Sequence, residues 1–426
     1  MHMIAAVAPI VITLLSLLLR LINLATPKGY IFDEVYYVDG ARDFLKYGVE
    51  VAGNKPEFIV HPPVGKWLIA SGIKIFGDNE FGWRIAVAIC GTLLILLFAR
   101  LVHILFYSPL LTAIGAALMS MDGLELVHSR TALLDLFLTF FVLLAVYLWQ
   151  RERHWWAAIS IGLALGTKWS AVYFLAIIAL VSLYRVFSAH SGKNLVKPTL
   201  KKIIQYGLLP LIVYTTTWTG WFLSSRGWDR KWSSNVIASW WHYHAEMLGF
   251  HTGLTEKHSY QANPWSWMIM GRPTSFFYDS PKACGVKDCA QEVLAIGTPI
   301  LWWLGTLAIV VTLGFWLRSL VLKKSDPALN LIFLGISAGY LPWFFFQKRT
   351  VFTFYAIIIE PFMLLAVVYC AKLILDSTMK SGYSQAIVAA AVIVIFLNFI
   401  YFLPLFTGEV ITYDAWFKRM WLSSWI

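Results

Sequence analysis

The chain has 426 residues, of which 59% are hydrophobic and 13% charged, with a mean hydropathy of +0.68; soluble globular domains carry roughly 25% charged residues. That balance excludes a water-soluble enzyme, and it excludes a disordered chain, which needs low hydrophobicity and high net charge. The formal charge of +11 bears on sidedness across a bilayer rather than on nucleic acid, and the four cysteines do not make a disulfide scaffold.

A bilayer-crossing helix needs about 20 mainly apolar residues. About eleven stretches qualify, at 4–24, 84–106, 109–122, 131–149, 155–168, 170–187, 203–223, 293–321, 329–346, 350–375 and 385–406. The pattern predicts an all-α polytopic membrane protein in which residues 1–426 form one transmembrane domain. The first stretch has no positive n-region, which favours an uncleaved anchor over a signal peptide. With the N-terminus inside, Arg100, Arg151, Arg153, Arg185, Lys193, Lys197, Lys201, Lys202, Arg318, Lys323, Lys324, Lys372 and Lys380 fall in cytoplasmic loops. Only Arg130, Lys168, Lys348 and Arg349 then fall in short outer loops, the bias expected of the positive-inside rule. Two long segments, 25–83 and 224–292, lie outside, and long loops in compact architectures are usually functional. No internal repeat is evident, which weakens a transporter built from inverted halves.

The first outer loop carries Asp33-Glu34 just beyond a span, at the start of a short helix. Acids sit at such positions simply to complement the helix dipole, or they serve as a general base whose pKa partial burial raises toward a useful value. Further on, His61-Pro62-Pro63-Val64-Gly65-Lys66 opens with two prolines that fix an extended lead, followed by a short amphipathic helix from Val64 to Phe76. His61 and Lys66 there are either anion-binding or an interfacial turn with a snorkelling lysine.

Outward cations form a second constellation: Arg130 in Ser129-Arg130-Thr131-Ala132-Leu133-Leu134-Asp135, Lys168 between two spans, and Lys348-Arg349 between two others. A phosphate-bearing lipid headgroup would give them a purpose, through a planar guanidinium fork or an ammonium point charge; the alternative is non-specific anchoring to membrane lipids. Asp135 is an ionisable residue within a span, a functional hypothesis by default.

The second outer loop contains Trp240-Trp241-His242-Tyr243-His244-Ala245-Glu246, His251, His258 and Asn263-Pro264-Trp265-Ser266-Trp267. His242 and His244 with Glu246 raise a metal site, but spacing of two does not put both histidines on one helix face. An aromatic platform for a sugar or an extended peptide is the reading taken. Cys284 and Cys289 would pair in an oxidising compartment. No phosphate loop, nucleotide motif or Ser-His-Asp arrangement is present.

Taken in order, Asp33-Glu34, the His61 to Lys66 motif, Ser129-Arg130 with Leu133-Leu134-Asp135, Pro264-Trp265-Ser266-Trp267, Pro342-Trp343 and Arg349-Thr350-Val351-Phe352 resemble the protein O-mannosyltransferases in their actinobacterial form, over nearly the whole chain. The resemblance implies a GT-C fold, a polyprenyl-phosphate-mannose donor and inverting transfer to Ser or Thr hydroxyls of secretory polypeptides at the outer face. It implies Asp33 as base, Glu34 as its partner, Arg130 and Arg349 as residues that hold the donor phosphate or order the site, and less defined roles for His61 and Lys66. Loop 224–292 is too short for the β-trefoil module of eukaryotic members, and Thr353-Phe354-Tyr355 stands where those members tend to have His-Tyr. No cofactor is implied, since the lipid-linked sugar is a substrate and no cluster demands a divalent metal. The family also suggests the secretion translocon and membrane lipids as partners, and no nucleic acid. Two other readings stand beside it: a GT-C transferase of another polyprenyl-phosphate sugar or acceptor, and a flippase of lipid-linked sugars, which needs a polar path across the whole bilayer.

Overall fold

The computed structural model describes residues 2–426, with side chains from residue 7 onward. Helices lie in all the stretches singled out above, among them His2–Leu21, Glu80–Phe106, Pro109–Ser120, Leu134–Gln150, Ala171–Ala189, Pro299–Val321 and Ser381–Thr407, but residues 293–295 of the eighth stretch belong to a β-strand and 353–358 of the tenth to a 3₁₀ turn. Among the described residues, five helical segments are both long and apolar enough to cross a membrane: Glu80–Phe106, Ala171–Ala189, Pro299–Val321, Pro327–Phe346 and Ser381–Thr407. The others are shorter or interrupted, the first helix counting here only from Val7 to Leu21. The span near 203–223, for example, passes through a π-helical turn at Ile204–Leu208.

The chain forms two compact units, one of Met1–Phe32, Val87–Thr131 and Lys257–Ile426, the other of Asp33–Ala86 and Ala132–Glu256. In the first, Pro299–Val321 and Pro327–Gly339 pack on Glu360–Leu375, and His2–Leu21 packs on Pro109–Ser120. Small residues permit these approaches: a Cβ on Gly335 would meet the Phe362 ring at 1.9 Å, as expected where helices associate without a hydrophobic driving force from water. The Pro109–Ser120 helix starts where its sequence says it should, with Ser108 accepting from the Leu111 N–H at 3.3 Å and Pro109 in the first turn. The same unit holds a small antiparallel sheet of β3 (Thr274–Asp279), β4 (Cys289–Ala295) and β5 (Val410–Thr412), in that order. Cys284 and Cys289 are disulfide-bonded in the β3–β4 connection, as their spacing suggested.

The second unit contains the acidic motif. Its two-stranded ribbon, β1 (Val51–Ala52) and β2 (Lys55–Pro56), lies in segment 25–83, which also carries helices Glu34–Tyr47 and Val64–Phe76. Helix Val64–Phe76 has the limits read from sequence, but its lead-in differs. Pro63 is already helical (φ −76°, ψ −25°), because proline's missing N–H costs nothing at a helix start. Gly65 must be glycine-sized, since a Cβ there would lie 2.5 Å from Leu134. A core of Val49, Val51, Tyr214, Trp218, Trp221, Tyr243 and Met247 joins the ribbon and residues 214–221 to helix Val236–Gly253, with Tyr47 packed against it. Segment 224–292 is therefore far from an open loop: it supplies a core helix, a 3₁₀ turn at Pro264–Ile269 and two strands.

Candidate active site

Asp33 occupies the N-cap of helix Glu34–Tyr47, yet its carboxylate makes no capping bond. An aspartate there normally accepts from the N–H groups of the first turn. Here Tyr37 donates to it instead, with the charges of Lys168 and Asp135 nearby. Burial, partly countered by Lys168, raises its pKa to about 6. Asp33 as a residue is half-buried. The residue before it, Phe32, holds a left-handed φ of +51°, a sparsely populated conformation for a bulky side chain. Its ring is stacked on Phe276 at 4.7 Å and set edge-on to Phe354 at 5.6 Å.

Glu34 is in a different situation. It is fully buried and gripped by Arg84, Nε to Oε1 and Nη2 to Oε2, both at 2.8 Å, while Oε1 also accepts from the Ala132 N–H at 2.9 Å. This bidentate, charge-assisted pairing holds the start of the Glu34–Tyr47 helix to the chain just before Leu134–Gln150. Arg84 was not singled out by the sequence reading. A partner fifty positions away leaves no local pattern.

Lys168 is joined to both Asp135 oxygens at 2.9 Å, so the aspartate and the lysine are one ion pair, whose charges act on Asp33. Lys66 is 1% exposed, ion-paired with Glu50, and donates to the His61 carbonyl at 3.1 Å. Burial pushes the Glu50 carboxyl up and the Lys66 ammonium down. The ammonium expected to bind an anion is thus engaged in holding the His61 turn. The His61 ring lies 6.1 Å from Tyr37 and 5.3 Å from His251, and His251 lies 5.8 Å from Trp169. These rings continue from the tyrosine that binds Asp33. His251 stood in the sequence reading as one more loop histidine, because its proximity to His61 spans 190 positions.

The expected aromatic platform is mostly core. Trp240 and His244 pack against Trp218 and Tyr214. The Tyr214 hydroxyl lies 2.7 Å from His244 Nε2, and burial pushes the His244 pKa down to about 4. Trp241 and Trp265 do remain exposed.

The other cations belong to the first unit. Arg130 is 3% exposed. Its guanidinium donates to the main-chain carbonyls of Leu19, Arg20, Ile22 and Asn23, at 3.3, 2.9, 2.7 and 2.9 Å. It therefore caps the C-terminal end of His2–Leu21, where cations complement the helix dipole. Of the two roles expected of it, these contacts fit ordering of the chain. Arg20 is itself buried and ion-paired with Glu125, whose other oxygen accepts from Ser129 at 2.8 Å. Arg349 lies over the Trp343 ring at 5.9 Å, and Lys348 is exposed.

Three residues of segment 224–292 also come together. Asp229, His242 and Glu246 present ligand atoms within 4.8 Å of one another. The grouping pairs His242 with Glu246 and an upstream aspartate, rather than with His244.

Comparison with known proteins places this geometry. Residues 60–221 match the family model described as dolichyl-phosphate-mannose-protein mannosyltransferase, and residues 236–425 match the C-terminal four TMM region of protein-O-mannosyltransferase. The polyprenol-phosphate-mannose–protein mannosyltransferase of Mycobacterium tuberculosis is 32% identical over 97% of this chain and 90% of its own length. That of Mycolicibacterium smegmatis is 30% identical, over 97% and 92%. In structure, the chain is similar to the S. cerevisiae protein O-mannosyltransferase Pmt1–Pmt2 complex bound to the sugar donor, with a TM-score of 0.83, 15% identity, and coverage of 99% of this chain and 92% of that one. At such identity the likeness shows the fold, a polytopic helical GT-C membrane fold.

Proposed function

This chain belongs to the polyprenol-phosphate-mannose–protein mannosyltransferase family, and from that premise we propose how its own residues transfer mannose from a polyprenyl-phosphate donor to Ser or Thr hydroxyls of secreted proteins. Asp33 takes the proton of the acceptor hydroxyl as its oxygen attacks the anomeric carbon. The carbon–oxygen bond to phosphate breaks on the opposite face, so a β-linked donor gives an α-mannosyl product. A hydroxyl is a poor nucleophile and needs a positioned base. The raised pKa of Asp33, about 6, matches that task while leaving the group ionised near neutrality. The departing phosphate needs charge stabilisation rather than protonation, which Arg349 and Lys348 supply as headgroup cations. Lys168 keeps Asp33 from rising further and orients Asp135. Glu34, Lys66, His61 and Arg130 act through position: Glu34 fixes the helix that bears the base, Lys66 holds the His61 turn, and Arg130 holds the segment that leads into the motif.

In this reading about eleven spans cross the membrane with the N-terminus in the cytoplasm. Segments 25–83 and 224–292 face the extracytoplasmic side, where unfolded secretory chains emerge from the translocon and the lipid donor arrives laterally. The observation that carries the assignment is the N-cap aspartate that does not cap. The test is transfer of labelled mannose from polyprenyl-phosphate-mannose to a Ser/Thr-rich peptide by purified wild type and Asp33→Asn. Transfer by wild type alone is expected; equal transfer by both overturns Asp33 as the base.

A further inference from the structure

We propose that Asp229, His242 and Glu246 form a binding site for a divalent transition-metal cation of the zinc class, separate from the transfer chemistry, which fastens the segment after residue 223 to helix Val236–Gly253. His242 and Glu246 are four residues apart on that helix and so share a face. Asp229 comes to them from the preceding turn, its Oδ2 lying 2.8 Å from His242 Nδ1. One imidazole and two carboxylates are a donor set that zinc-class ions accept. Ligands of a tetrahedral ion with bonds of about 2.1 Å lie about 3.4 Å apart. From a present spread within 4.8 Å, that needs Asp229 and His242, now 2.8 Å apart, to open slightly and the set as a whole to draw together. Three protein ligands leave a position for water.

The surroundings are those of a supported site. The Trp228 indole N–H donates to Glu246 Oε2 at 2.7 Å, orienting that carboxylate. The Trp232 ring stacks on His242 with centroids 4.1 Å apart and planes 11° from parallel. Such outer contacts fix ligand geometry before the ion arrives. All three ligands are half-buried, so an ion can reach them from water. Among the described residues no other trio of histidine, cysteine and acidic side chains meets this spacing.

The test uses the full chain, purified in detergent, freed of its affinity tag and treated with chelator. Zn²⁺ is titrated while tryptophan fluorescence is followed, since Trp228 and Trp232 flank the site. Co²⁺ is used in parallel for its visible absorption. We expect one equivalent of either ion, a higher thermal midpoint with Zn²⁺, and binding weakened more than about tenfold in His242→Ala and in Glu246→Gln. Binding unchanged in both variants, or no stoichiometric binding and no cobalt bands in wild type, overturns the site. The wild-type spectrum decides the matter even if a variant fails to fold.

Discussion

Each unit of this protein contains an aspartate at a helix N-cap and, just after it, a buried glutamate paired with an arginine, but the two are put to opposite uses. In the first unit Asp122 caps Gly123–His128 with bonds from the Leu124 and Glu125 N–H groups at 2.8 and 3.2 Å, and its second oxygen accepts from Trp302 at 2.6 Å. In the second unit Asp33 makes no capping bond, stays partly open and has its pKa raised to about 6. The glutamates, by contrast, are alike: Glu125 with Arg20 and Glu34 with Arg84 are both fully buried pairs. An acceptor whose oxygens are taken up by fixed donors holds structure together, whereas one that makes no capping bond keeps its oxygens for another partner. The same residue type at the same helical position thus serves as a structural part in one unit and as a reagent in the other.

The largest expected effect separates the two aspartates. Asp33→Asn should lower transfer on the order of 10³-fold, within the range for loss of a general base, with the protein folded and donor bound. Asp122→Ala should instead cost roughly 1–3 kcal/mol of stability through its orphaned donors and leave transfer per folded molecule near wild type. A folded, inactive Asp122→Ala would break the comparison. Linkage sharpens it. The folded state binds the Asp33 proton more tightly than the unfolded chain does, so ionising Asp33 above about pH 6 costs stability. Asp33→Asn should therefore melt no lower than wild type at pH 8; a clearly lower midpoint would mean that the carboxylate is structural.

Next come the glutamates. Removing one partner of a buried pair costs roughly 3–5 kcal/mol, so Glu34→Gln should sharply reduce the yield of folded protein. The double variant Glu34→Leu/Arg84→Met should regain much of it. Transfer by that double variant would limit Glu34 to positioning. Folding without transfer would give it a share in the chemistry.

A smaller effect concerns pH. Transfer should require ionised Asp33 and fall as pH drops through about 6. Lys168 lowers the Asp33 pKa and Asp135 raises it, so Lys168→Met should move the acid limb upward and Asp135→Asn downward. An acid limb that stays put in both variants would detach the pair from the base. The smallest change is expected of Lys348→Ala, which is exposed and should alter stability by no more than about 0.5 kcal/mol while raising the KM for donor. A KM that does not move would remove Lys348 from the headgroup site.

Much of this was legible in the residues. The helix starting at Asp33 and the one spanning Val64–Phe76 announce themselves through a span boundary, two prolines and local apolar spacing. The Cys284–Cys289 pairing follows from proximity in sequence. What sequence could not supply were long-range partners: Arg84 for Glu34, Glu50 for Lys66, His251 beside His61, and the carbonyls that occupy Arg130. Each joins segments with no shared period, so no pattern along the chain encodes it. Asp229 is hidden for a related reason: it lies 13 positions before His242, off the helix that carries His242 and Glu246.

Arg130 has a consequence of another kind. It grips residues 19, 20, 22 and 23 by main-chain oxygens, which every amino acid presents alike. The stretch leading toward the motif is held in place without its side chains being read, so an exposed position such as Ile22 can change without loosening the grip. Arg130 itself has no such freedom. A lysine carries the same charge but cannot spread its donors over four carbonyls in a fixed fork.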